Sequence, residues 1–225
     1  MVDVLAVIGQ LLPIAIALAI STVPITVTVA ILLSPTASRS ALVFLIGWVL
    51  GTFAVAALFS FGLRGVQPFG SSAAQPLVGV IEMLIGLAIV VIGLRSLSRQ
   101  RHRPAAPGSP RVLRIVESIR PLPAFGLAVL LNIRPKALLL AAAAGVVIGS
   151  AGLETWQVTI ALGVYVILGA STVALPIILF LARPERMERP LRAAQAWIAR
   201  NNRTAASVVE IVIGTVILGD GLGRL

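Results

Sequence analysis

One pattern occurs twice in this chain, and it restricts the possible folds more than any other feature. Glu82-Met83-Leu84-Ile85-Gly86, followed by Gly93-Leu94, recurs 128 positions later as Glu210-Ile211-Val212-Ile213-Gly214, followed by Gly221-Leu222. On a helix, steps of four and eleven residues return to nearly one azimuth, so each glutamate shares a face with its two glycines. Both copies lie in apolar runs. A carboxylate facing lipid at mid-bilayer costs roughly 3 kcal/mol or more, so each face calls for a protein partner. Two copies of one unit at a fixed offset are, in membranes, mostly a transporter arrangement, with the site where the copies meet.

Composition sets the solvent. Hydrophobic residues make up 58% of the 225 residues and charged residues 12%, too few charges to cover a soluble domain of this length. Six apolar segments reach the ~20 residues that span a hydrocarbon core. They run about Leu12 to Ser34, Ala41 to Leu63, Gln75 to Leu97, Leu122 to Ser150, Thr155 to Ala182 and Ala205 to Leu222. Six spans leave no room for a separate soluble domain. Met1-Val2-Asp3 carries no basic n-region, so the first apolar stretch reads as a span rather than a cleaved signal.

The linker Ser98 to Ser109, with Arg101-His102-Arg103-Pro104-Ala105-Ala106-Pro107-Gly108, divides the chain near its middle. The expected fold is therefore all-α and integral to the membrane, with six transmembrane helices as two three-helix repeats. Residues 1–97 form the first repeat, 98–120 a basic cytoplasmic linker, and 121–225 the second repeat, with an amphipathic segment over 186–200. Three is odd, so the second repeat enters the membrane in the opposite sense and the repeat is inverted. Ser21-Thr22-Val23-Pro24 lines up with Asn132-Ile133-Arg134-Pro135, and Leu50-Gly51 is a candidate counterpart of Leu168-Gly169.

Of 18 basic residues, 14 fall on one side of these spans: Arg39, seven between Arg95 and Arg120, and six between Arg183 and Arg203. The other side carries only Arg64 and Arg224, which puts both termini outside and the basic loops in the cytoplasm of a plasma (inner) membrane. Topology thus accounts for the basic charge, and nucleic acid is not an expected partner. Arg111 to Arg120 and Pro190 to Arg200 read as amphipathic helices for the inner headgroup layer, so membrane lipids are expected partners. With no cysteine, thiol redox transfer and thiolate metal sites are excluded. The lone histidine, His102, sits in the linker, so no metal site and no cofactor is expected.

Prolines and buried charges mark the candidate site. Pro13, Pro121 and Pro123 read as helix starts, whereas Pro24, Pro135 and Pro176 fall inside spans, where each removes a helical hydrogen bond. Ser21, Thr22, Thr26 and Thr28 gather around Pro24, and Asn132 precedes Pro135. A broken helix lining a transport site and a plain proline kink with local Ser and Thr bonding both fit. Arg134 and Lys136 lie near the midplane, flanked by Glu82 and Glu210 from opposite sides. Pairs such as Lys136 with Glu210 or Arg134 with Glu82 would offset most of their burial cost. Such charges serve as a structural clamp, bind an anionic headgroup, or exchange a proton.

Ser21 to Pro24, Leu33-Ser34-Pro35-Thr36-Ala37-Ser38-Arg39, Phe44 to Gly51 and Asn132-Ile133-Arg134-Pro135-Lys136 together resemble the small glycolipid-addressing (GAP, or sulfolipid-addressing) proteins of the lysine-exporter superfamily. The resemblance covers nearly the whole chain. It departs at Arg134, an extra basic residue before the proline, which would adjust what the site accepts. It implies a six-span protein that helps move envelope glycolipids or their precursors across the inner membrane. Other members of the superfamily export amino acids or metal ions.

The expected function is export of envelope glycolipid or another anionic amphipath. Substrate binding is expected at Ser21, Thr22, Pro24, Asn132, Arg134, Pro135 and Lys136, with Glu82 and Glu210 as ion-pair or proton-coupling groups. Export of a small solute of amino-acid type and a non-transport scaffold for envelope-lipid synthesis are the alternatives. No serine has a buried His or Asp pair to activate it, so no enzymatic role is expected. Gly47-x-x-x-Gly51 and Gly145-x-x-x-Gly149 let helix backbones approach closely, either between the halves or in a homodimer.

Overall fold

A computed structural model describes residues 4–64, 75–100 and 120–224. Among them the chain is helical throughout: α1 (Val4–Ala19), α2 (Thr22–Leu32), α3 (Ala37–Arg64), α4 (Gln75–Gln100), α5 (Pro121–Asn132), α6 (Pro135–Ser150), α7 (Thr155–Ala182) and α8 (Pro184–Leu222). Three helices contain stretches long and apolar enough to cross a membrane. They become five spans if the bent pairs α1/α2 and α5/α6 each count as one. Large apolar side chains such as Leu58, Leu122, Ile167 and Leu175 cover the outside of the bundle. That surface fits a multi-pass membrane protein, whose solvent is hydrocarbon.

Local sequence explains the two breaks. α1 and α2 meet at 51°, and α5 and α6 at 63°. Pro135 is the first residue of α6, and a proline forces the residue before it out of the helical region, so Arg134 is extended (φ −68°, ψ 148°). Pro24 stands in the first turn of α2, where it has no N–H to offer the carbonyl four residues back. The chain turns just before it, at Ser21 (φ −69°, ψ 112°). Pro24 and Pro135 therefore begin the second piece of each broken helix. Pro176 breaks nothing, because α7 runs on through it.

Two expectations need correction, and a third is untested. The first helix begins at Val4 rather than near Leu12, so Pro13 lies in its interior. The amphipathic segment 186–200 is the first part of the 39-residue α8, continuous with the apolar stretch beyond it. The expected helix Arg111 to Arg120 lies almost wholly outside the described residues.

The packing is organised by exchange between the halves. α4 packs most extensively on α8, α3 lies against both pieces of the α5/α6 pair, and α7 lies against both pieces of α1/α2. α4 also touches α6, and α8 touches α2. Gly47 and Gly51 face Phe125, Ala128 and Asn132 of α5, and Gly145 meets Phe59 of α3. Both small-residue patterns thus join the halves within one chain. Gly51 abuts the last residue of α5 and Gly169 abuts Leu18 near the end of α1, so the two glycines occupy corresponding places.

Candidate functional site

The α4–α8 seam carries the duplicated pattern. Gly79, Gly86 and Gly93 lie seven residues apart, close to two helical turns, and so form one stripe. A methyl group built on Gly86 would stand 2.7 Å from the Gly214 carbonyl oxygen, and one on Gly79 2.6 Å from that of Gly221. One on Gly93 would stand 3.2 Å from that of Ser207. Each step of seven along α4 is thus matched by a step of seven back along α8, and the helices run antiparallel in near backbone contact. Gly86 and Gly214, equivalent in the repeat, touch each other. Glu82 and Glu210 each lie four residues from that crossing, roughly 6 Å along the axis in opposite directions. Glu82 packs beside Gly221, and Glu210 beside Gly93.

The partners of the two carboxylates differ. Lys136 Nζ donates to Glu210 Oε1 at 2.7 Å, forming one of the two pairings expected from sequence. The other does not form. Glu82 is met by Arg224 instead, with Nε 2.9 Å from Oε2. The Arg224 N–H is not aimed at that oxygen, so neither oxygen of Glu82, 2% exposed, accepts a hydrogen bond. Arg134 turns back on its own helix end, its Nε donating to the Leu131 carbonyl at 3.0 Å, and makes no ion pair with the described residues. The 63° bend decides this. It turns Lys136, on the first turn of α6, toward α8 and leaves Arg134 at the corner, between exposed Ile133 and exposed Pro135.

Backbone groups freed at the breaks are satisfied from neighbouring helices. Thr172 of α7 donates to the Ala19 carbonyl at 2.5 Å. At the other break Asn132 donates to the Ala128 carbonyl at 3.0 Å, and its Oδ1 accepts from Thr52 of α3 at 2.9 Å. Thr26 and Thr28 bond the carbonyls of Thr22 and Pro24, one turn back, which is local backbone bonding. A small packing gap, too tight for a water molecule, adjoins the second break, lined by Leu18, Thr52, Asn132, Ala137, Ala141 and Tyr165, among others. Ser21, Thr22 and Pro24 do not line it. Tyr165, the only tyrosine in the sequence, is fully buried there with no partner for its hydroxyl.

A family model described as Sap, sulfolipid-1-addressing protein, matches residues 11–223. The chain belongs to that family. No curated protein and no solved structure matches it. Sap membership agrees with the resemblance carried by Ser21 to Pro24, Leu33 to Arg39, Phe44 to Gly51 and Asn132 to Lys136, and it gives the chain a role in addressing envelope glycolipid.

Sequence reasoning passed over Thr52, Tyr165, Thr172 and Arg224 in this Sap protein. Each had a signal: Thr52 follows Gly51 of a small-residue pattern, Tyr165 is a lone phenol in an apolar span, and Arg224 is one of two cations on its side. Thr172, one of many hydroxyls in the spans, is singled out only by the bend of α1/α2.

Proposed function

We propose that this Sap-family protein exports an anionic envelope glycolipid, or a similar anionic amphipath, across the inner membrane, with the α5/α6 break as headgroup station. The observation that carries this reading is Arg134, a cation at a helix break, partly exposed, with no counter-charge among the described residues. A cation at this depth is costly unless paired. A sulfate, phosphate or carboxylate headgroup would supply the missing charge, and a guanidinium can hold such a group with two parallel hydrogen bonds. The exposed apolar residues beside it, Leu130 and Ile133, suit acyl chains.

The architecture in this proposal is a six-span inverted repeat with α8 supplying the sixth span. The exchange-related packing and the Gly86–Gly214 contact support it. The excess of arginine on one side argues for cytoplasmic basic loops and external termini. The protein binds membrane lipid, needs no cofactor and performs no covalent chemistry. The polar groups of Thr52, Asn132 and Tyr165 gathered beside the second break favour one second reading, export of a compact polar solute such as an amino acid.

The test compares extracted envelope lipids from cells lacking the protein, rescued with wild type, Arg134→Ala or Lys136→Ala. Loss of one surface lipid with accumulation inside, restored by wild type and not by Arg134→Ala, is the expected result. Unchanged lipids would sink lipid export and favour the compact solute. Full rescue by both variants would take the headgroup away from these cations and leave a scaffold.

A further inference from the structure

The two carboxylates of the seam are not equally available, and the difference singles out one of them. Glu210 is held by a 2.7 Å hydrogen bond from Lys136. Glu82 accepts no hydrogen bond, although it is 2% exposed. It lines a narrow cleft of about 10 Å³, room for about one water, with Gln10, Pro13, Ile14, Ala143, Val147 and Asp220. Gln10 and Asp220 are exposed, so the cleft reaches the surface at the end of the bundle where α4 begins and α8 ends. A buried carboxylate whose oxygens lack donors costs free energy that protonation relieves.

The geometry points to Glu82 as a proton-exchange group reached through this cleft, with Arg224 as the cation that stands in while the carboxylate is ionised. This deepens the transport reading above by naming its coupling site, and it selects Glu82 over Glu210. Among the described residues the charged groups facing Glu82 are Asp220 of α8 and Arg224 just beyond it. α6 presents Ala143 and Val147, and α1 presents Gln10, Pro13 and Ile14, none of which titrates. Charge balances in one step. A proton entering the cleft binds a carboxylate oxygen of Glu82, the buried site becomes neutral, and Arg224, still protonated, is released toward Asp220 and water. Arg224 is free to do this because it follows the end of α8 and is partly exposed. Lys136 is fixed in the first turn of α6 and cannot leave Glu210 so easily. On the orientation proposed above, the cleft faces outward and takes its proton from outside the cell.

Dicyclohexylcarbodiimide tests this without any transport substrate, because it adds to a protonated carboxylic acid in an apolar setting and leaves an ionised one alone. The wild-type protein in lipid vesicles is treated across a pH series, and adducts are located by peptide mass spectrometry. Adduct on Glu82 is expected to exceed that on Glu210 about tenfold, since Lys136 holds Glu210 in a hydrogen bond whereas Glu82 accepts none. It should fall as pH rises, and rise in Arg224→Ala. Preferential labelling of Glu210, or no adduct on Glu82 in either wild type or Arg224→Ala, overturns the assignment. Because the readout is independent of cargo, the proton site and lipid export can fail separately.

Discussion

Glu82 and Glu210 occupy equivalent positions on either side of one helix crossing, yet one accepts a hydrogen bond from its cation and the other does not. Each lies four residues from the Gly86–Gly214 contact and packs against a glycine of the opposite helix. The duplicated backbone therefore treats them alike. Two positions of the repeat differ around them: α6 opens Pro135-Lys136 where α2 carries Pro24-Ile25, and Arg224 stands where the first copy has Ser96. Lys136 reaches Glu210, and Arg224, from beyond the end of α8, meets Glu82. The comparison teaches that a duplicated frame fixes where a charge stands, and a single side chain on a neighbouring helix fixes what it can do.

The largest effect should come from removing the clamp. Lys136→Ala leaves Glu210 buried beside no cation and should lower stability by about 3–5 kcal/mol, read by thermal unfolding in detergent. A loss below about 1 kcal/mol would show that the clamped end is not held by charge. Next comes the crossing, where Gly86→Ala or Gly214→Ala drives a methyl group into opposing backbone and should cost about 1–3 kcal/mol. Here the two ends should diverge again. Gly79→Ala meets the Gly221 carbonyl at 2.6 Å and should cost more than Gly93→Ala, whose nearest neighbour is the Ile211 side chain at 2.9 Å. Equal losses would mean that the seam is uniform.

Arg224→Ala should be milder, about 1 kcal/mol, because the contact is not a hydrogen bond and the arginine is partly exposed. Ile25→Lys in that background offers Glu82 the cation that Lys136 gives Glu210, and should recover part of the loss. If it destabilises further, the halves are less alike around their glutamates than the glycine contacts suggest. The smallest change belongs to the exposed pair Arg192–Glu188 on α8, where Arg192→Ala should stay within about 0.5 kcal/mol.

Much of this was legible in the chain because it is local. Glu82 with Gly86 and Gly93, and Glu210 with Gly214 and Gly221, announced a buried helix face through spacing alone. Pro135 and Pro24 announced breaks, since a missing N–H acts within one turn. Where reading failed, the deciding contact was not local. Pro13 looked like a helix start because a missing N–H costs little there, but α1 begins at Val4 and runs through it. Segment 186–200 looked like a separate surface helix because its composition changes before Ala205, although no residue there stops the helix.

The sequence by itself determined an apolar helical chain, two broken helices and two glutamates on glycine faces, because hydropathy, helical period and proline sterics each act within a few residues. The tertiary structure alone decided that Lys136 reaches Glu210, that Glu82 meets Arg224, and that Arg134 has no counter-charge among the described residues. It also decided that Thr172 and Thr52 serve the two breaks. Those outcomes depend on bends of 51° and 63° and on which helices cross, and the crossings are set by packing between residues far apart in the chain.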